Sequence, residues 1–176
     1  MENVLVVSFI LILIATRKHH PFSTLSYFLI LFYLGLHVYG AQYTYSKNPF
    51  GFWMKDVLHN ARNPYDRLVH FSFGFLLVFP MQELLFKKWK ISNWALWIIP
   101  IEVTLSLSGL SEIFEWLMTD ILFPKHGSNF LAAQGDMWDA QKDMFMATFG
   151  AEVAVMIIWL VNRRVMYFDL HKNIKD

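Results

Sequence analysis

The chain has 176 residues, 56% of them hydrophobic and only 16% charged, against about 25% charged in a soluble domain. A net charge of +1 excludes an extended nucleic-acid surface, and the absence of cysteine excludes disulfides, thiolate metal sites, iron–sulfur ligation and a cysteine nucleophile. With a mean hydropathy of +0.36 and apolar residues gathered in long blocks, the chain reads as one membrane domain.

The first block, Val4 to Ala15, has the length of a signal-peptide core. It lacks a basic stretch before it and a small-x-small cleavage site after it, and Arg17 and Lys18 follow, so it reads as a retained or truncated span. Further spans are expected at Ser23–Gly40, Leu68–Phe86, Trp94–Met118 and Phe145–Val161. Uninterrupted apolar runs favour helices over membrane strands. Pro80 and Pro100 fall inside spans and are expected to kink their helices without ending them. The expected fold is all-α: a polytopic transmembrane bundle of about five spans over 1–168, with a frayed tail at 169–176.

Lys and Arg follow the first, third and fifth spans densely, as Arg17 and Lys18, then Lys87, Lys88 and Lys90, then Arg163 and Arg164. By the positive-inside rule those loops are cytoplasmic, with the amino terminus outside and the carboxyl terminus inside. In the outer loop after the second span, Phe50, Trp53, Met54, Val57, Leu58 and Ala61 recur at helical spacing. Lys55, Asp56, His59, Asn60 and Arg62 take the other face, the pattern of a short amphipathic helix at the membrane interface.

The ionisable residues then gather at the outer ends of the spans. His37 closes the second, Asp66, Arg67 and His70 open the third, Glu112 and Glu115 end the fourth, and Asp136, Asp139 and Asp143 lead into the fifth. If the fifth helix starts by Asp136, its three carboxylates share a face that Gly150 continues, permitting close helix approach. So many carboxylates beside lipid require neutralisation, for which a bound divalent cation is the economical source. Asp66, His70, Glu112, Glu115, Asp136, Asp139 and Asp143 are the candidate ligands, with Glu112 and Asp139 as candidate catalytic acids or bases. Oxygen-rich ligation with imidazole suits Mg²⁺, Mn²⁺, Zn²⁺ or non-haem iron. Against this, Asp66 and Asp136 also suit helix capping, His37 and Tyr43 suit interfacial anchoring, and Glu83 suits snorkelling to the inner surface. Glu102 and Glu152 lie deep and need partners that the sequence does not name.

Gly40-Ala-Gln-Tyr-Thr-Tyr, Asn63-Pro-Tyr-Asp66-Arg67-Leu-Val-His70-Phe, Glu112-Ile-Phe-Glu115-Trp116 and Gln134-Gly135-Asp136-Met-Trp-Asp139-Ala-Gln-Lys-Asp143 together resemble the YjdF-like family of bacterial inner-membrane proteins. The resemblance implies an inner-membrane location and a helical architecture, often with an additional amino-terminal span, but no reaction. A more distant likeness to VanZ-like proteins rests on Asp66 with His70, and on Asp139 and Asp143 before Gly150. It implies action on envelope or lipid-linked molecules.

Three readings follow. The first is a metal-dependent hydrolase or phosphoryl-group enzyme acting on a lipid-linked substrate. The second is a small transporter, in which Glu102 and Glu152 continue a path inward and a homo-oligomer supplies enough spans. The third is a non-catalytic assembly protein whose polar residues join helices.

Overall fold

The computed structural model describes residues 4–18, 22–122 and 134–172. The described residues form helices joined by turns: α1 (Val4–Thr16), α2 (Thr24–Gln42), α3 (Pro49–Val57), α4 (Tyr65–Trp89), α5 (Ala95–Trp116) and α6 (Asp139–Lys172). A π-helical turn, Leu117–Leu122, continues α5. The stretch with Lys125 and the last four residues of the expected tail lie outside the described residues.

Four helical segments are long and apolar enough to cross a membrane: Thr24–Gln42, Tyr65–Trp89, Ala95–Ile121 and Asp139–Asn162. They coincide with the second to fifth expected spans. The first block forms a helix, but its 13 residues reach ~20 Å, short of the ~30 Å hydrocarbon layer. It packs through Val6, with Phe9 and Leu13 nearby, on Ile30 and Leu34 of α2 and Leu77 of α4. Helices α4 and α5 run unbroken through Pro80 and Pro100.

Local chemistry sets the helix ends. The Ser23 hydroxyl caps α2 by accepting from the Ser26 amide. Thr44 and Tyr45, both left-handed, turn the chain after α2, and the Asn48 side chain caps α3 by accepting from the Gly51 amide at 3.1 Å. The Asn63 side chain accepts from the Tyr65 amide at the start of α4, and left-handed Lys90 ends that helix. The amphipathic pattern expected to run to Ala61 is cut short, because α3 ends at Val57 and a turn carries Ala61 and Arg62 away from it.

Helix α4 is the hub, with half of its spanning window buried against 17% for α5 and 22% for α6. Its seam with α6 is built from small residues. A Cβ added to Gly74 would lie 1.9 Å from the Ala147 carbonyl oxygen, and one added to Gly150 would lie 2.2 Å from that of Phe71. Only glycine permits this backbone approach. Val78, Ala151 and Ala154 continue the seam, with Ile101 of α5 packed against them.

At the far end of α4, Glu83 does more than snorkel. Its carboxylate accepts from the Ser23 amide at 2.8 Å, from the Ser23 hydroxyl at 2.9 Å and from the Ser26 hydroxyl, and it pairs with Lys87. A side chain of α4 thus supplies a second cap to the amino terminus of α2, where the helix dipole favours an anion.

Candidate functional site

The opposite end of the bundle gathers most of the candidate residues. Asp66 and His70, one turn apart, lie on the buried side of α4, and Asp143 lies on the facing side of α6. One ligand atom from each lies within 4.8 Å of the others. The close passage at Gly74 and Gly150 is what sets Asp143 opposite Asp66 and His70.

Helix α5 completes the surroundings of the imidazole. His70 Nε2 is 3.4 Å from Glu112 Oε1 and 3.9 Å from Asp66 Oδ1, while Nδ1 is 3.4 Å from the Ser108 hydroxyl. The Asp143 side chain is 2% exposed. Its Oδ1 is buried without a hydrogen-bond donor, and Arg67 Nε approaches it only to 4.0 Å. An ionised oxygen so placed carries an uncompensated desolvation cost.

The other candidate acids have a different environment. Asp139 pairs with Arg62 and lies 3.5 Å from Arg67 Nη2, and Asp136 meets Arg67 at 2.7 Å, Lys142 at 2.6 Å and Arg62 at 3.7 Å. This ionic layer caps the inner group. Asp136 is not part of the helical stripe: α6 begins at Asp139, and Asp136 Oδ1 accepts from the Trp138 amide in the turn before it. The Lys142 ammonium, then the Trp138 amide and the Arg67 guanidinium, hold the Asp136 carboxyl well below the usual range, at about 2.

Glu115 is partly exposed, three residues beyond Glu112, and lies outside the compact group. His37 lies on α2, where its Nδ1 is 2.9 Å from the Tyr45 hydroxyl. Arg62, Ser108 and Lys142 were not expected here. The sequence pattern put Arg62 on the polar face of α3, and only the turn after α3 brings it to Asp139.

An amide network, buried at Asn48 and Asn63 and exposed at Gln134, fixes these loops to one another. The Asn63 backbone exchanges two 3.0 Å hydrogen bonds with the Gln134 side chain, and Asn63 Nδ2 donates to the Asn48 carbonyl at 2.9 Å. Gly51 lets Asn63 approach, since a Cβ there would lie 1.8 Å from Asn63 Oδ1. The segments before α3, α4 and α6 are therefore held as one outer frame around the acids.

No solved structure matches this chain. It is 33% identical over 159 residues to the Escherichia coli (strain K12) inner membrane protein YjdF, across 90% of this chain and 76% of that protein. The family described as "Predicted membrane protein (DUF2238)" matches residues 1–164. With its four apolar spanning helices and this similarity to an inner-membrane protein, the chain belongs to the DUF2238 family of multi-pass membrane proteins.

Proposed function

We infer that the chain is a membrane-embedded metal-dependent hydrolase or phosphoryl-group enzyme, with Asp66, His70 and Asp143 as ligands of a divalent cation. The observation that carries this reading is the buried, donor-less Asp143 Oδ1 beside ligand atoms of Asp66 and His70. A cation there would compensate an oxygen that no hydrogen bond compensates. Two carboxylates with one imidazole suit Mg²⁺, Mn²⁺, Zn²⁺ or ferrous iron.

In this reading Glu112, beside the imidazole, is a further ligand or the general base. As base it takes a proton from water, whose oxygen attacks phosphorus or an acyl carbon. The bond to the leaving oxygen breaks, and that oxygen recovers the proton. Asp139 is engaged by Arg62 and Arg67, so its role here is to hold those arginines rather than to act as base. Two guanidiniums above the ligands suit an anionic group on the substrate, and the position at a helix-bundle end suits a lipid-linked molecule at the outer leaflet. The basic loops support a cytoplasmic carboxyl terminus.

The transporter reading has less support, because Glu102 and Glu152 lie on the exposed surface of the bundle and not on a path from the inner cluster. The ionic layer gives some support to an assembly role, since its ion pairs join the starts of α4 and α6. Elemental analysis of purified protein separates the two readings. The enzyme reading expects about one divalent metal per chain, lost in Asp143→Asn and His70→Ala and kept in Asp136→Asn. Metal-free wild-type protein that remains metal-free after loading with each candidate ion would refute it.

A further inference from the structure

Helix α5 approaches the His70 imidazole at both ring nitrogens, with a different group at each. Glu112 Oε1 lies 3.4 Å from Nε2, and the Ser108 hydroxyl lies 3.4 Å from Nδ1. Ser108 and Glu112 are four residues apart, so one face of one helix delivers both. Nε2 also looks towards Asp66, whose Oδ1 is 3.9 Å away. Nδ1 instead meets a serine that is 2% exposed. A half-turn of the ring would put carbon in place of nitrogen at both contacts.

A neutral imidazole has one N–H and one lone pair, and the nitrogen that keeps the lone pair is the one that binds a cation. A cation held between the carboxylates of Asp66 and Asp143 needs the lone pair on Nε2, the nitrogen on their side of the ring. The hydrogen then sits on Nδ1 and requires an acceptor, since a buried N–H without one is costly. Metal-binding histidines commonly give that hydrogen to a carboxylate, a carbonyl or water. A serine oxygen accepts it equally well and adds no negative charge to a group that already holds Asp66, Glu112 and Asp143.

We propose that Ser108 is a positioning residue: its hydroxyl accepts the Nδ1–H of His70 and holds the ring with the Nε2 lone pair towards the cation. The proposal deepens the metal reading above and rests on it. Ser108 acts through the imidazole and does not itself touch the cation. Ser111 on the same helix is a natural control, because its hydroxyl donates to the Ser108 carbonyl at 2.7 Å and so serves the helix backbone.

The test is Zn²⁺ affinity of the full chain in detergent, measured by competition with a chromophoric chelator. Ser108→Ala should bind Zn²⁺ about 10–100-fold more weakly, whereas Ser108→Thr, which keeps the hydroxyl, and Ser111→Ala should stay within about three-fold of wild type. Metal-free Ser108→Ala should unfold at the wild-type temperature, which a merely structural role would not allow. In Zn²⁺-loaded wild type labelled with ¹⁵N-histidine, the His70 signal, identified by its loss in His70→Gln, should carry its hydrogen on Nδ1. Wild type that takes up no Zn²⁺ would overturn the metal reading and the proposal together. Wild type that binds Zn²⁺ would overturn the proposal alone if Ser108→Ala binds as tightly, if Ser108→Thr binds as weakly as Ser108→Ala, or if the hydrogen is on Nε2. Should Ser108→Ala fail to fold, the wild-type tautomer and Ser108→Thr decide.

Discussion

At the scale of single residues, the acids divide by what faces them. Asp136 is surrounded by donors and is held ionised. A depressed carboxyl contributes stability that is whole above its unfolded value of about 3.9 and is lost as pH falls through its folded value. With that folded value near 2, the outer ionic layer should persist through mildly acidic conditions and weaken between about pH 4 and pH 2. Thermal unfolding in detergent should show this loss in wild type, and Asp136→Asn should flatten it. Glu83 faces a different demand, as an acceptor for two serines and a backbone amide of another helix. Glu83→Leu should remove about 2 kcal/mol of stability by stranding those donors, with Glu83→Gln retaining part of it. Hydrogen exchange at the first turn of α2 would localise the effect; unchanged protection there would count against the cross-helix cap.

At the scale of elements, the α4–α6 seam decides whether the site exists. Gly74 and Gly150 allow backbone contact, and that approach sets Asp143 opposite Asp66 and His70. Gly74→Val should destabilise the protein by about 1–3 kcal/mol through overpacking. If the metal reading holds, it should also lower metal content although no candidate ligand is altered. Full metal binding at normal stability in that variant would show the seam to be more deformable than its distances imply. The outer frame of Asn48, Asn63 and Gln134 acts similarly on the loops. Gly51→Ala should displace Asn63 and loosen the turn that carries Arg62 to Asp139, measurable as faster proteolysis of the loop after α3.

At the scale of the whole molecule, the two ends of the bundle differ in chemistry. One end carries the acids, the imidazoles and two arginines, while Lys87, Lys88 and Lys90 close α4 at the other. If the basic end is cytoplasmic, alkaline phosphatase fused after Asn60 should be active, and a fluorescent protein fused after Ser92 should be bright. The reverse pattern would invert the orientation and place the candidate site inside the cell.

Much of this was legible in the chain because hydrophobic length is a local property. About 20 apolar residues must cross the bilayer whatever their neighbours, so the second to fifth spans, and the gathering of acids at their ends, could be read from sequence. Spacing along one helix likewise put Asp66 and His70 on one face, and glycine at 150 pointed to close approach. Which acids meet cations and which remain uncompensated depended on partners distant in sequence. Arg62 reaches Asp139 only because α3 ends at Val57, Asp136 lies in the turn before α6, and Ser23 lies against Glu83. Those pairings come from loop geometry and helix rotation, which periodicity does not encode. The same rotation turned Glu102 and Glu152 outward: sequence alone determined their depth, and tertiary packing decided the face they occupy.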